Sequence, residues 1–361
     1  MINYGRKFIK IFSINVLLIL FFIFFVEIFF GYWFDKDNFG PYMREHRMKK
    51  NLYTIKIDEK THNFTYKRNY FGFRGEDLKP EDIKIILIGG STADERYKPE
   101  KFTISGYLNA SLKNNNFDLK IINAGIEGQS TRGHIINFKH WFPKLKNFSP
   151  KYIIFYVGIN DALLNLSDDI IIKSMSDGSD GWVKNPNKIE SFSDNFKSSS
   201  IFYDHLRKAK HKFYLGNEQK RLIYDLDYTL GEKISGSKFQ YLSYNQKLKL
   251  YDLNKLQKIH EKKIKYYLSN IDKLSNYTKS LGAIPIFINQ EMAEASNSKE
   301  LFIMNLSLID HCKNKSYNCI DLAKNLVGVP QYFWDGVHTT PSGSEKIADI
   351  IFPRLIKFLN K

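Results

Sequence analysis

The apolar and polar positions divide the chain into one long apolar run near the N-terminus and a larger region where short apolar runs alternate with helical patterns. After a short tail at residues 1–10, the apolar run covers 11–34, close to the ~20 residues that a bilayer-spanning helix requires. It ends in bulky aromatic residues, whereas a cleaved signal peptide ends in small ones. The pattern predicts an uncleaved transmembrane signal anchor, with its one internal charge, Glu27, near an interface, where that charge costs less.

The charges around this run bear on its orientation. Arg6, Lys7 and Lys10 precede it and favour a cytoplasmic N-terminus. Further positive charges follow it soon afterwards and weaken that argument: Arg44, Arg47, Lys49 and Lys50. We expect a single-pass membrane protein whose following domain lies on the extracytoplasmic side.

Beyond residue 81 the chain alternates between two kinds of pattern. Short β-branched runs predict strands that are buried on both faces, at 83–89, 119–125, 152–158, 283–289 and 318–322. Between them lie helical patterns, of which the clearest covers 253–281 and ends at Gly282. The alternation predicts an α/β fold with a parallel sheet of about five strands. The last helix is expected to start within TPSGSEKIA, where Ser342 and Glu345 have the spacing of a capping box.

Two other segments depart from this alternation. Residues 35–80 are polar, aromatic and turn-rich, which indicates a juxtamembrane lead-in to a single domain over 81–361. Residues 165–250 are longer than a crossover connection needs, so they form an insertion within that domain. The insertion is either a lid over a cleft or an excursion on the surface.

The composition narrows the classes of partner. The formal net charge is +16, but the lysines are scattered among apolar and amide residues, so we expect a solvated surface and no nucleic-acid partner. Cys312 and Cys319 lack the His and Cys neighbours of a zinc site. They form a disulfide if the domain is exported, or remain two buried thiols; the sequence leaves both open.

Polar residues follow the predicted strands at the edge where parallel sheets bind ligands. Ser91 lies in GGSTAD, Gly128 in NAGIEGQST and Asn160 in VGIND, while Asp335 and His338 lie three positions apart in DGVH. A serine hydroxyl becomes a nucleophile when an imidazole accepts its proton, and that imidazole needs a carboxylate to orient it. His338 and Asp335 supply these two groups for Ser91.

Attack on an acyl carbonyl also creates an oxyanion, which needs hydrogen-bond donors placed in advance. The candidates are the backbone N–H groups of Ser91 and Gly128 and the side-chain amide of Asn160. Each motif alone has another explanation, since glycine-rich turns also bind phosphates or simply reverse the chain. Their order and placement together favour acyl transfer through a serine.

The blocks IILIGGST, NAGIEGQST, YVGIND and DGVHTTPSG resemble, in order and spacing, those of the SGNH (GDSL-like) hydrolases, over about residues 83–350. The resemblance implies that Ser91, Gly128, Asn160 and His338 are catalytic, with Asp335 as the third member of the triad. It also implies a flavodoxin-like, three-layer α/β/α fold and no metal or organic cofactor. One departure is Gly90, where many members carry Asp. The G-x-S-x-G elbow of α/β-hydrolases is absent from GGSTA.

The sequence therefore predicts a membrane-anchored serine esterase. Its partners are the membrane, through the N-terminal helix, and an ester substrate, with O-acetyl groups of an envelope glycan among the candidates. Members of the resembled family include esterases, lipases, thioesterases and carbohydrate acetylesterases, and some transfer acetyl groups. Two alternatives remain open: an O-acyltransferase that passes the acyl group to a glycan hydroxyl, and a non-catalytic, anchored glycan-binding protein.

Overall fold

The computed structural model describes residues 2–34, 43, 50–57, 60–76, 78–164, 199–206, 209, 225–227, 241–293, 298–327 and 329–360. The chain divides into two compact units, Met1–Glu45 with Asn185–Lys220, and His46–Lys184 with Arg221–Lys361. Residues 165–198, a large part of the expected insertion, lie outside the described residues, so its role as a lid stays a prediction.

The strands of the described chain are β1 (Lys50–Ile57), β2 (Lys60–Lys67), β3 (Ile85–Gly89), β4 (Ile121–Asn123), β5 (Tyr152–Val157), β6 (Asp225–Asp227), β7 (Ile284–Asn289) and β8 (Asn318–Ile320). Its α-helices are α1 (Ile2–Phe30), α2 (Ser91–Asp94), α3 (Ile104–Asn114), α4 (Thr131–His140), α5 (Ile159–Leu163), α6 (Tyr244–Leu250), α7 (Leu253–Ile259), α8 (Glu261–Ser280), α9 (Ser298–Lys315), α10 (Leu322–Asn325) and α11 (Pro341–Leu359).

The first unit contains the predicted anchor. Within α1, the segment Lys7–Phe30 is long and apolar enough to cross a membrane, and its most apolar part has a mean hydropathy of 2.7. Near its end, the Glu27 carboxylate accepts hydrogen bonds from Trp33 Nε1 (2.9 Å) and from Ser200 Oγ (2.5 Å). It also accepts the backbone N–H groups of Ile201 and Phe202, at 3.2 Å each. The single charge of the apolar run is therefore fully engaged by polar donors.

The second unit is built on a five-stranded parallel sheet of order β4-β3-β5-β7-β8. Every residue of β3 and β5 is buried, as the continuous apolar runs predicted. On one face, Ile85 and Leu87 pack with Leu108 of α3 and Ile351 of α11 in a single apolar core. On the other face, Phe138 of α4 stacks on Phe155 of β5 with ring centroids 6.2 Å apart. The predicted three-layer α/β/α fold is confirmed.

The segment before residue 81 contains structure that the sequence analysis did not predict. Strands β1 and β2 form an antiparallel hairpin, and β6 adds to β1 in parallel. The hairpin escaped prediction because the alternation in β2, KTHNFTYK, has only two apolar residues, Phe64 and Tyr66, and is a weak signal beside the continuous apolar runs of β3 and β5. The hairpin buries two large side chains, Tyr53 of β1 and Tyr66 of β2.

Two details of the helices correct the sequence analysis. The expected helix over 253–281 is divided at His260 into α7 and α8. The N-cap of α11 is Thr340, whose Oγ1 accepts the Gly343 N–H at 3.1 Å, so the capping box expected at Ser342 and Glu345 was wrong. Pro341 explains the shift, because proline favours the first helical position and moves the cap to the residue before it.

The question left open for the cysteines is resolved. Cys312, near the end of α9, and Cys319, in β8, are joined in a disulfide with their Cα atoms 6.2 Å apart. The bond closes the short helix-to-strand connection on the edge of the sheet.

Candidate active site

Ser91 lies directly beyond the carboxyl end of β3, as the first residue of the one-turn helix α2. Its Oγ is 2.8 Å from Nε2 of His338, and Nδ1 of His338 is 2.7 Å from Oδ2 of Asp335. These contacts form a continuous hydroxyl–imidazole–carboxylate relay. The three residues that the sequence analysis selected for a triad therefore meet, although 247 positions separate Ser91 from His338.

The carboxylate of Asp335 is held by its own loop. Oδ1 accepts the backbone N–H groups of Val337 (2.7 Å) and His338 (2.6 Å), which leaves Oδ2 for the imidazole. Burial raises the pKa of Asp335, but hydrogen bonds and charge from His338 outweigh burial and hold the pKa below its ordinary value. Asp335 therefore stays ionised and can orient the ring and stabilise its protonated form.

The loop around the triad explains why Asp and His are three positions apart. Phe333 and Thr339 form an antiparallel bridge, and the Trp334 N–H donates to the His338 carbonyl at 3.0 Å. The Trp334 ring stacks on the imidazole with centroids 5.4 Å apart and an interplanar angle of 20°. The Trp334 ring therefore packs against His338 itself.

The three predicted oxyanion donors follow the carboxyl ends of three neighbouring strands, β3, β4 and β5. The N–H groups of Ser91 and Gly128 have no acceptor within the described part of the chain, and Gly128 has a φ of +74°, which favours glycine. Asn160 donates one amide hydrogen to the Gln129 carbonyl at 2.7 Å, which leaves its second hydrogen for a ligand.

Gly90 allows Asn160 to approach the turn that follows β3. A Cβ atom at position 90 would lie 2.1 Å from Nδ2 of Asn160 and 2.9 Å from the Gln129 carbonyl oxygen. No side chain fits there without moving the amide, so glycine at this position, the departure from the GDSL pattern, has a structural reason.

Asp161, next to Asn160, connects α5 to the segment that carries Gly128. Its carboxylate accepts the N–H (3.1 Å) and the hydroxyl (2.5 Å) of Thr131 at the start of α4. Burial raises the pKa of Asp161 to about 6, although the bonds from Thr131 act in the opposite direction. The loop that carries Gly128 is thereby tied to the helix that carries Asn160.

Two buried arginines near the hairpin contact the segment that follows Ser91, and the sequence analysis missed both. Arg68 pairs with Asp94 at 2.9 Å, and each side chain is 1% exposed. Arg74 donates to the backbone carbonyls of Asp94 and Lys98. An isolated arginine in a polar segment carries no sequence signal of burial, because most arginines are exposed.

A second buried ion pair contacts the loop that carries His338. Lys98 pairs with Glu95 and also donates to the carbonyl (2.8 Å) and hydroxyl (2.9 Å) of Thr339, the residue after His338. Burial lowers the pKa of Lys98, although Glu95 acts in the opposite direction. This pair connects the segment after Ser91 to the segment after His338.

A narrow cleft opens at Ser91 and His338. Its walls include Arg96, Tyr97, Glu127 and Trp334. Arg96 and Glu127 form an ion pair of 2.5 Å across it. No group of three or more His, Cys, Asp or Glu side chains able to hold a metal occurs among the described residues.

A parallel sheet between helices, with a Ser–His–Asp relay at its carboxyl edge and no G-x-S-x-G elbow at the serine, is the arrangement of SGNH-type hydrolases. A family model described as GDSL-like Lipase/Acylhydrolase matches residues 85–351. The chain belongs to this GDSL-like lipase/acylhydrolase family and is an ester hydrolase.

Solved structures of similar fold share little sequence with the chain. TesA is 10% identical, with a TM-score of 0.42 and coverage of 75% of this chain and 97% of that one. The esterase EstA from Pseudoalteromonas sp., inhibited by monoethylphosphonate, is 11% identical (TM-score 0.43, 78% and 100% covered). A lipolytic protein of the G-D-S-L family from Veillonella parvula DSM 2008 is 13% identical (TM-score 0.41, 75% and 97% covered). No curated protein matches the chain by sequence.

Proposed function

We propose that the chain hydrolyses its ester through an acyl-serine intermediate on Ser91. His338 accepts the proton of the Ser91 hydroxyl as Oγ attacks the acyl carbon, and then donates that proton to the departing alcohol. Water, deprotonated by the same imidazole, then attacks the acyl-enzyme and releases the acid. Asp335 keeps Nδ1 protonated and stabilises the imidazolium throughout. The observation that carries this proposal is the relay of 2.8 Å and 2.7 Å contacts through His338.

In this mechanism, the tetrahedral oxyanion accepts hydrogen bonds from the backbone N–H groups of Ser91 and Gly128 and from the second amide hydrogen of Asn160. Three donors in a preorganised cleft stabilise the charge that appears only in the transition state. Removing one such donor typically costs about 2.7–4 kcal/mol of barrier, so Asn160→Ala should lower kcat about 10²–10³-fold.

The direct test uses substitutions in the full-length protein in detergent. Ser91→Ala and His338→Ala are expected to abolish hydrolysis of p-nitrophenyl acetate, and Ser91→Ala also to abolish labelling by a fluorophosphonate probe. The matched control is His311→Ala, because His311 forms another His–Asp pair, with Asp272 at 2.7 Å, away from the relay. Turnover that survives Ser91→Ala would refute the assignment.

We propose a short acyl ester on a glycan near the membrane as the substrate. The cleft at Ser91 is narrow, with Tyr97 and Trp334 in its walls, which favours a short acyl group. Tyr97 and Trp334 offer aromatic surface for a sugar ring, and Arg96 and Glu127 offer hydrogen bonds to its hydroxyls. The test compares p-nitrophenyl acetate with the octanoate, and acetylated with deacetylated envelope glycan. Faster octanoate cleavage would contradict a short acyl group, and release that requires a glycan acceptor would favour acyl transfer.

We further propose that α1 anchors the enzyme and that the hydrolase unit lies outside the cytoplasm. The apolar length of Lys7–Phe30 supports anchoring, and the Cys312–Cys319 disulfide supports an oxidising compartment. In intact cells, an impermeant maleimide should label the two cysteines only after reduction by an impermeant phosphine. Labelling without reduction would contradict the disulfide, and labelling only after cell lysis would place the unit in the cytoplasm.

A further inference from the structure

Gln290 follows directly after β7 and belongs to none of the sequence motifs. Its side chain is buried, and both ends of its amide are used. Oε1 accepts the backbone N–H of Ile159 at 2.8 Å, and Nε2 donates to Oγ1 of Thr92 at 2.8 Å. The Gln290 backbone is itself fixed, because its carbonyl accepts Nδ2 of Asn305 at 2.7 Å.

The two partners of this amide are the neighbours of two proposed site residues. Thr92 follows Ser91 in the one-turn helix α2, and Ile159 precedes Asn160 in α5. The N–H of Ile159 belongs to the first turn of α5, where backbone donors lack partners within the helix. One side chain therefore spans the gap between the turn that carries the nucleophile and the turn that carries the amide donor.

A glutamine suits this place for a chemical reason. The backbone N–H of Ile159 needs an acceptor, which Oε1 of Gln290 supplies. The hydroxyl oxygen of Thr92 accepts a hydrogen bond, which Nε2 of Gln290 donates. A neutral primary amide supplies both functions without burying a charge. Glutamate would lose the donor, and methionine of similar length would lose both bonds.

We propose that Gln290 is a positioning residue that fixes the distance between Ser91 and the Asn160 donor of the oxyanion site. This inference rests on the proposed acyl-serine mechanism. An oxyanion donor stabilises the transition state only when it is held in place beforehand, within about 0.5 Å of the productive geometry. Loosening Gln290 therefore raises the barrier of the chemical step while the open cleft still binds substrate.

The experiment compares two neighbouring buried amides. Asn289 is fully buried at the same strand end and also bridges two groups, donating to Asp321 Oδ1 (2.8 Å) and accepting the Ala323 N–H (3.0 Å). Neither partner of Asn289 adjoins a site residue. Gln290→Met and Asn289→Leu thus each remove a buried amide that bridges two groups. Only the amide of Gln290 contacts neighbours of site residues, so Asn289→Leu is the matched control.

Steady-state kinetics on p-nitrophenyl acetate are measured for both variants in the full-length protein, with thermal unfolding recorded for each. Gln290→Met is expected to lower kcat about 10–100-fold, the range for a small misplacement of a catalytic group, with KM within about twofold of wild type. Asn289→Leu should lower the melting temperature but keep kcat within about twofold, because it leaves the site geometry intact. Thr92→Val removes only the second bond of Gln290 and should lower kcat by a smaller factor in the same direction.

The outcomes separate this inference from the function it rests on. An inactive wild type, or an active Ser91→Ala, would refute the proposed mechanism. With an active wild type, unchanged kcat in folded Gln290→Met would overturn the positioning role, as would an equal loss of kcat in Asn289→Leu. If Gln290→Met does not fold, Thr92→Val decides: a lower kcat at unchanged KM supports the role, and wild-type kinetics overturn it.

Discussion

Replacing Arg68 with methionine tests whether the segment before residue 81 is an integral part of the hydrolase unit. Arg68 donates to Asp94 (2.9 Å), to the Gly125 carbonyl (2.8 Å) and to the Gly72 carbonyl (2.8 Å). Methionine keeps much of the side-chain length but removes these bonds and the positive charge. The Asp94 carboxylate, which is 1% exposed, then remains buried without its main ionic partner.

The magnitude follows from the partners that Asp94 retains. Breaking a fully buried ion pair by removing one member costs about 3–5 kcal/mol. Asp94 still accepts from the Tyr66 hydroxyl at 2.7 Å and lies 3.4 Å from Arg96 Nε, so we expect the lower end of that range, about 3 kcal/mol. With an m-value of about 3 kcal/mol/M, high for urea because the unit is large, the unfolding midpoint should fall by about 1 M.

The assay is urea unfolding of the full-length protein in detergent micelles, followed by tryptophan fluorescence. Arg354→Met is the matched control, because Arg354 donates to two neutral groups, the Ile350 carbonyl and the Asn325 side chain, at 2.9 Å each. Adding Asp94→Asn to Arg68→Met should recover about 1–2 kcal/mol, since a buried neutral amide costs less than a buried unpaired charge. An Arg68→Met midpoint equal to wild type, or a shift no larger than that of Arg354→Met, would refute this reasoning.

Three further predictions concern the site and its surroundings. Gly90→Ala should lower kcat about 10²-fold or more, because its Cβ displaces the Asn160 donor; kinetics like those of wild type would show that the turn has room to move. For Asp161, the native carboxyl keeps its proton up to about pH 6 whereas the unfolded one loses it near 3.8, so this group makes stability fall as the pH rises through that window. The free energy of unfolding lost across this window through Asp161 is about 3 kcal/mol. Urea midpoints measured between pH 4 and 7 should therefore fall less steeply for Asp161→Asn than for wild type. Parallel curves for the two proteins would contradict the raised pKa. Replacing Cys312 and Cys319 by alanine should cost about 2.5 kcal/mol of stability, from the short loop that the disulfide closes, and leave kcat unchanged; a lower kcat would connect this edge of the sheet to the site.

The parts of the structure that could be predicted are those with a strong local pattern. Strands β3 and β5 are buried on both faces, so their sequences are continuous apolar runs that few other structures produce. The site could be predicted because parallel strands end at one edge, where Ser91 and the Asp335–His338 pair were the candidate polar groups. Hairpin β1–β2 could not, since its strands lack that pattern and gain their stability from pairing with each other and with β6.

The buried polar contacts lay beyond prediction because they depend on distances that no local pattern records. Helix α2 has only four residues, and a helix this short is unstable by itself, so its geometry depends on other parts of the chain. Thr92 is bonded by Gln290, 198 positions later, and Asp94 by Arg68, 26 positions earlier. Glu95, in the left-handed conformation with a φ of 47°, ends the turn, and its carboxylate pairs with Lys98. The orientation of the Ser91 hydroxyl is therefore set by buried groups at both ends of α2, which makes these contacts, and not the motif alone, the structural basis of the proposed nucleophile.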